Sequence, residues 1–184
     1  MPNDLKALFG SWEQALGTLL SAISSTPKAQ LNERIRTGLS LIGNAMQATG
    51  NALMADSERT ITLNKIGNQI QAIGNSTVIL GLIIQANTRT KTELNIKGNL
   101  LQALGSGISF AEIIQNKKRL PLSSEELLNL YGSLLQMIGN ALQAISGRIK
   151  LQDQTGQTLN LVGSWIHALA AFLQALAQRH DQNR

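Results

Sequence analysis

The sequence predicts an all-α protein of six antiparallel helices, arranged as a bundle or a layered helical array. Twelve of the sixteen glycines share one frame, in which they recur seven residues apart, as Gly67 and Gly74 do. The residues around these glycines repeat too: Gly-Asn-Gln-Ile-Gln-Ala-Ile-Gly at residues 67–74 recurs as the similar segment Gly-Asn-Leu-Leu-Gln-Ala-Leu-Gly at 98–105. Between such phrases the composition changes to charged residues, Thr, Ser and Pro. Heptad spacing interrupted in this way is typical of helical repeats.

Six degenerate repeats of about 31 residues are expected from the spacing of the first glycine in each unit, and a chain of 184 residues fits one domain. We therefore treat 1–184 as a single helical-repeat domain. The predicted helices lie near 3–24, 28–55, 57–87, 91–116, 123–149 and 155–180.

The breaks between repeats carry helix-start signals. Thr90 with Glu93, and Ser123 with Glu126, have the spacing of a capping box, in which each side chain binds the other residue's free backbone donor. Pro27 suits the first position of a helix. The basic run 117–119 falls in a break and is interpreted as a solvated connection rather than a nucleic-acid patch.

Glycine is expensive inside a helix, at about 0.5–1 kcal/mol relative to alanine. Its return in the same phase in every unit predicts a compensating contact. The simplest one is a neighbouring backbone that approaches where a side chain would obstruct it.

Projection of the heptad on a helix gives two unlike faces. Leu and Ile occupy one of them; Gly, Asn, Gln and Ala form the other, which is flat, polar and uncharged. Primary amides can be buried against each other at lower cost than ions when every group is paired, so this face suits contact between helices or between copies of the chain. The predicted interaction residues are Gly43, Gly50, Gly67, Gly74, Gly98, Gly105, Gly132, Gly139, Gly163, Gln47, Gln71, Gln102, Gln143, Asn44, Asn68, Asn75, Asn99 and Asn140.

No constellation of catalytic residues is recognisable, so the sequence predicts neither an enzyme nor a small-molecule substrate. Cysteine is absent, which excludes disulfides and thiolate metal sites. His167 occupies the heptad position that holds Gln in other units and is interpreted as a substitute for Gln, not as a general base or metal ligand. No cofactor and no metal are expected. With 3% aromatic residues, base stacking and hence nucleic-acid binding are disfavoured.

Two functions of different class are compatible with these features. The first is a non-enzymatic structural protein that associates with itself through the flat uncharged faces, since only 15% of the residues are charged. The alternative is a membrane-active bundle, in which the amides line a wet lumen, or a coat on a membrane or granule surface. The start of the chain lacks the pattern of a secretory signal and no run of about 18 apolar residues occurs, so the expected location is the cytoplasm.

The repeated phrase, at residues 68–75 and again at 136–144, resembles that of a family of uncharacterised repetitive Gly/Asn/Gln/Ala-rich helical proteins from Bacillus-type bacteria. The resemblance covers nearly the whole chain. It implies a bacterial origin, with spore association as an expectation, and no known activity or site residues. The first unit departs from the pattern because Glu13 stands where an apolar residue is expected.

Overall fold

Six α-helices make up almost all of the computed structural model, which describes residues 2–115 and 122–181. No strand occurs in these residues, and the all-α prediction is confirmed. The helices are α1 (Asn3–Ser25), α2 (Glu33–Ser57), α3 (Leu63–Ile83), α4 (Thr88–Gln115), α5 (Ser124–Lys150) and α6 (Gln157–Asp181).

Two helices begin five or six residues later than predicted. In the first connection Pro27–Ala29 forms a separate 3-10 turn that ends at Gln30, whose φ of 49° is incompatible with a continuing helix. Asn32 then caps α2 by accepting a hydrogen bond from the Ile35 backbone N–H at 2.9 Å. In the second connection Thr62 caps α3 in the same way.

The two predicted capping boxes have different outcomes. The box of Ser123 and Glu126 is confirmed at the start of α5, with both of its hydrogen bonds present. The box of Thr90 and Glu93 is wrong, because α4 begins earlier: the Asn87 side chain accepts from the Thr90 N–H at 2.8 Å, and Glu93 instead pairs with Arg89.

The helices form a closed antiparallel ring. Each packs against its neighbours in the chain, and α6 packs against α1 to close the ring. At this seam the rings of Trp12 and Phe172 meet edge to face, with centroids 6.1 Å apart, over the buried methyl groups of Ala15 and Ala175. We call the end at which α1, α3 and α5 begin end A, and the opposite end end B.

The tightest contacts lie within three helical hairpins, α1/α2, α3/α4 and α5/α6. Frame glycines of the two helices face each other there so closely that a Cβ built on either glycine would lie 2.4–2.7 Å from the carbonyl oxygen of its partner. No described glycine has a positive φ, so these positions need glycine for its lack of a side chain and not for its conformational freedom. The reciprocal pairs are Gly10–Gly50, Gly17–Gly43, Gly67–Gly105, Gly74–Gly98 and Gly139–Gly163.

The polarity of the bundle is the reverse of the usual arrangement, in which apolar side chains fill the core. Its buried apolar residues are alanines and Val78, whereas the largest fully buried side chains include Gln14, Gln136, Asn51 and Asn140. Large apolar side chains lie outside on all six helices: Leu5, Phe9 and Leu16 on α1, Ile35 and Ile42 on α2, Ile73, Leu80 and Ile83 on α3, Leu100, Leu104 and Ile114 on α4, Leu127, Tyr131, Ile138 and Ile145 on α5, and Val162, Trp165, Leu169 and Leu176 on α6.

Replacing a paired glycine should therefore destabilise the fold. In Gly74→Ala the new Cβ would meet the Gly98 carbonyl oxygen at 2.7 Å and the Gln102 backbone N at 3.0 Å. We expect a loss of about 1–3 kcal/mol in the free energy of unfolding, measured by denaturation followed by circular dichroism.

The matched control is Gly38→Ala in α2, where a Cβ meets nothing within 4 Å. It should gain up to about 1 kcal/mol from helix propensity. Equal or higher stability of Gly74→Ala relative to the parent would contradict the close-contact account.

Candidate functional site: the polar axis

Amide side chains from all six helices converge on the axis of the ring. Gln14, Gln71 and Gln136 lie at equivalent positions of α1, α3 and α5, each four residues after a frame glycine. Gln47, Gln102 and His167 hold the corresponding positions of α2, α4 and α6. All six are buried, so the face that carries the glycines is also the inner face of the ring.

Four inner glutamines form two hydrogen-bonded pairs, Gln14 with Gln71 and Gln136 with Gln174. We call these four residues the amide layer. Gln14 donates to the Gln71 side-chain oxygen at 3.5 Å, and Gln136 donates to that of Gln174 at 2.7 Å. Gln174 in turn donates to the Ser133 hydroxyl at 3.1 Å. The layer thus links α1 to α3 and α5 to α6 near the middle of the bundle.

Buried Asn and Ser residues beside the amide layer bond mainly to their own helices. Asn51 and Asn75 donate to the carbonyl oxygens four residues earlier, at 2.9 and 3.1 Å, as does Ser106 at 2.8 Å. This pattern satisfies one group of each Asn amide and leaves the other for a different partner.

Six buried polar atoms of the inner face have no hydrogen-bond partner among the residues that the structure describes. They are Gln14 Oε1, Asn51 Oδ1, Asn75 Oδ1, Ser109 Oγ, Asn140 Nδ2 and His167 Nε2. Their residues are at most 4% exposed. Because an unsatisfied buried polar group costs about 1–3 kcal/mol, their concentration on one axis indicates that something else completes their hydrogen bonds.

A cavity opens at each end of the axis, and residues of all six helices line both. The cavity at end A has a volume of about 440 Å³, and the one at end B about 100 Å³. The inner-face residues at end A include Ser11, Ser57, Asn68, Ser109, Ser133 and Gln174. Those at end B include Ser21, Asn44, Val78, Gln102, Gln143 and His167.

Charge distinguishes the two cavities. Asp4, Glu58, Glu112 and Glu126 line the cavity at end A, whereas the residues that line the cavity at end B include no Asp, Glu, Lys or Arg. The carboxylates at end A also have structural partners. Glu58 accepts from the Asn64 side chain at 2.7 Å, and Glu112 accepts from the Asn64 backbone N–H, so both hold the first turn of α3.

Outside the cavity at end A, Lys6 donates to the Asp56 carboxylate at 2.5 Å and ties the start of α1 to the end of α2. This hydrogen bond, with the charge of the same ammonium group, lowers the pKa of Asp56. Asp56 itself is exposed, so the pair joins the helix ends without being part of the polar axis.

The predicted interaction residues lie inside the bundle. All nine glycines are buried, as are Gln47, Gln71, Gln102 and the five predicted Asn residues, while Gln143 is partly buried at the end-B cavity. The close backbone approach expected at the glycines is present between helices of one chain. The part of the chain that the structure describes contains no group of three or more His, Asp or Glu residues placed to hold a metal ion. Residues 117–119 lie outside the described residues.

Three members of the polar axis are absent from the predicted set although the sequence contains the signal for them. Gln14, Gln136 and Gln174 share the heptad position of Gln71, so the same frame identifies all of them. The carboxylates at end A carry no such signal, because Asp4, Glu58, Glu112 and Glu126 come together only when the antiparallel ring closes.

Among the described residues, one helical segment is long and apolar enough to cross a membrane, Gln157–Gln178 in α6. By itself this is weak evidence, since a core helix of a soluble protein meets the same criterion. The amides of the other helices lower their mean hydropathy even where their outer faces consist of Leu and Ile.

Fold and site together define a class of protein: a closed ring of three glycine-paired helical hairpins, apolar outside and filled with amides. The chain belongs to a family of unknown function, DUF6944, whose model matches residues 5–175. Comparison with curated proteins and with solved structures gives no match.

Removal of a member of the amide layer should cost more than removal of the same side chain from the surface. Gln136→Ala leaves the Gln174 side-chain oxygen without its donor and the Ser106 hydroxyl without one of its acceptors. We expect a loss of about 1–3 kcal/mol in the free energy of unfolding. Gln69→Ala, at an exposed position of α3, should stay within about 0.5 kcal/mol of the parent. Similar losses in both variants would mean that the layer does not stabilise the bundle.

Proposed function

We propose that the protein is a membrane-embedded helical bundle, in which the Leu and Ile faces contact lipid and the amide-lined axis is shielded from it. The observation that carries this proposal is the exposure of large apolar side chains on all six helices of a closed ring. Phe9 on α1 and Ile73 on α3, for example, are 59% and 58% exposed.

The distribution of these side chains around the ring argues for lipid rather than a single protein partner. A protein partner or a second copy covers one side of a bundle, whereas a bilayer covers the full circumference. Soluble monomers rarely expose contiguous apolar patches larger than a few hundred Å². Lipid also suits the glycine pairs, because helices in membranes associate through small residues that allow close backbone packing.

In four of the six helices, α2, α3, α5 and α6, an uncharged segment is long enough to cross a bilayer, whereas the longest such segments of α1 and α4, residues 14–25 and 98–111, are shorter. Residues 37–55, 66–83, 127–147 and 157–178 carry no Asp, Glu, Lys or Arg and contain 18 to 22 residues each. At a rise of about 1.5 Å per residue they extend roughly 27–33 Å, which matches a hydrocarbon core about 30 Å thick.

Two lysines near the edge of this apolar zone, Lys6 and Lys65, direct their charges towards end A. The Lys65 ammonium group donates to the Glu58 backbone carbonyl at 2.7 Å, in the connection that precedes α3, and that of Lys6 reaches Asp56. Such snorkelling keeps the aliphatic stem in the apolar zone and the charge in water. Two charged residues lie deeper: Lys97 is exposed and Glu13 is half-buried. Ionisable groups at such depth are costly and usually face the interior of a bundle, so the exposed Lys97 is the residue that fits lipid contact least.

Self-association, expected from the sequence, stays a prediction that this proposal modifies. The amide faces are occupied within the chain, so two copies would have to meet through their outer Leu and Ile faces or open the ring. Cytoplasmic residence and a coat on a membrane or granule surface are the competing predictions. A coat would be released from membranes by washes that strip peripheral proteins, and a cytoplasmic protein would not be bound to them.

The purified chain should co-float with liposomes and stay bound through high-salt and alkaline-carbonate washes. Ile73→Glu should weaken this retention strongly, because an acidic side chain at the centre of a membrane helix costs roughly 3 kcal/mol, about a hundredfold in an equilibrium. Ile61→Glu makes the same change in the α2–α3 connection, where Ile61 is 84% exposed at end A, and should be retained like the parent.

Release of the parent protein by either wash would refute a bilayer-spanning arrangement. Equal retention of the two Glu variants would show that the outer face of α3 does not contact the hydrocarbon.

Trp165 offers a direct probe of lipid contact. It is 43% exposed on the outer face of α6, whereas Trp12 packs against Phe172 at the seam. The chain has two tryptophans, so Trp12→Phe isolates the fluorescence of Trp165. We expect lipids brominated on their acyl chains to quench the fluorescence of Trp12→Phe, which retains Trp165, more strongly than that of Trp165→Phe, which retains Trp12. Stronger quenching of Trp165 by a water-soluble quencher than by brominated lipid would contradict the proposal.

A further inference from the structure

We infer that the polar axis holds a file of water molecules and that the inserted bundle conducts water and small uncharged polar solutes while excluding ions. This inference rests on the proposed membrane insertion and adds what passes through the bundle. Its evidence is the juxtaposition of three features: unpaired buried polar atoms, a cavity at each end of the same axis, and a cavity at end B whose lining contains no Asp, Glu, Lys or Arg.

The unpaired atoms identify water as the occupant. Acceptors are available on Gln14, Asn51 and Asn75, and a donor on Asn140, all in residues that are at most 1% exposed. Their mixture of donors and acceptors suits a molecule that can do both. Buried waters typically make about three hydrogen bonds to groups of this kind.

The two cavities supply room for this water. One buried water needs about 10–15 Å³ of accessible volume, and the cavities at end A and end B, at about 440 and 100 Å³, each exceed this several times over. A residue that carries an unpaired buried atom lines each of them: Ser109 at end A and His167 at end B.

We place the constriction between the two cavities at Gln14 and Gln71, of which Gln71 also lines the cavity at end A. The Gln14–Gln71 hydrogen bond, at 3.5 Å, is at the long limit for such a bond. Water can replace it without leaving either amide unsatisfied. Because Gln is long and unbranched, rotation about its side-chain bonds opens the constriction while the glycine-paired backbones stay in place.

The lining explains the expected selectivity. Amides and hydroxyls replace the hydrogen bonds that water or a neutral polyol makes in bulk solvent. An ion would have to shed much of its hydration between the amide layer and end B, where the lining of the cavity contains no Asp, Glu, Lys or Arg, and this is costly in a low-dielectric interior. The carboxylates at end A line the wider cavity together with Gln71 and Gln174 of the amide layer, whereas no Asp, Glu, Lys or Arg lines the cavity at end B, so the barrier to ions lies on the end-B side of the layer.

Osmotic shrinkage of proteoliposomes, followed by stopped-flow light scattering, tests the inference with the full chain. Insertion is measured on the same vesicles by flotation after a carbonate wash. Vesicles with inserted parent protein should shrink severalfold faster than protein-free vesicles and should also gain permeability to glycerol. Their potassium permeability, measured by a trapped fluorescent indicator, should stay at the protein-free level.

Two variants of the constriction should change the rate in opposite directions. Gln71→Leu replaces the amide by a branched apolar side chain that is one atom shorter, and it should return the shrinkage rate towards that of empty vesicles. Gln14→Ala removes one side of the constriction and should raise the rate above the parent's. Ile73→Leu, on the outer face of the same helix as Gln71, is the control and should match the parent.

The outcomes separate this inference from the proposal on which it rests. Inserted protein whose vesicles shrink no faster than empty ones overturns the inference and leaves membrane insertion standing. Potassium flux that rises together with water flux overturns the selectivity. Failure to insert refutes the proposed function and this inference together. Misfolding would lower the shrinkage rate of vesicles with Gln71→Leu and of vesicles with Gln14→Ala. A shrinkage rate above the parent's in Gln14→Ala therefore cannot arise from misfolding.

Discussion

Backbone contact at the paired glycines fixes the rotation of each helix about its own axis. At Gly17 and Gly43, or Gly74 and Gly98, the two backbones approach so closely that even a methyl group would overlap a carbonyl oxygen. The face that carries glycine must therefore point at the hairpin partner. Gln71, between Gly67 and Gly74 on that face, is turned inwards as a consequence, and Ile73 is turned out. The inverted polarity of the bundle thus follows from the packing of bare backbone.

The three hairpins use the same device but are not identical, and the third departs most. In α6, Ala170 occupies the place of a frame glycine. A Cβ built on Gly132, which faces it, would lie 3.1 Å from the Ala170 carbonyl oxygen, a wider distance than in the glycine pairs. His167 replaces the Gln of the other hairpins, and Ala171 and Ala175 line the seam with α1. Ala171 places a methyl group in this contact where other helices have Asn or Ser, whereas Ala175 stands at a position that holds Ala in other helices too. These alanines also make α6 the helix with enough mean hydropathy to resemble a membrane span by composition.

The heptad frame was sufficient to predict the number of helices, their antiparallel order and the close approach at glycine. Positions such as Asn75 and Gln102 were recognised as one face because a periodic pattern specifies which residues lie together. The same pattern does not specify which face points inwards. Leu100 and Leu104 form as regular a stripe as the amides, and in a bundle with a leucine core they would point inwards; here they are 53% and 55% exposed. Only the geometry at the glycine pairs decides between the two arrangements.

Helix boundaries and the ends of the bundle were less predictable, because they depend on contacts between residues distant in sequence. The first turn of α3 is held by Glu112, 48 positions away from Asn64, and no local motif announces that pairing. Asn87, and not Thr90, caps α4, because the helix begins at Thr88. A capping-box spacing at Thr90 does not prevent a helix from beginning earlier.

An interior made of amides gains stability differently from one made of leucine. Its buried apolar groups are mostly methyl groups of alanine, so little of the usual driving force for folding in water is available. In lipid the balance changes: the outer Leu and Ile side chains are solvated by acyl chains, and polar groups that cannot reach water gain most by finding one another. The Gln136–Gln174 bond, at 2.7 Å, is such a pairing. Where pairing is incomplete, as at Asn51 and Asn140, the same environment would make a water on the axis worth more than in an open cleft, so the lipid contact and the water that we propose both depend on the inverted polarity of the bundle.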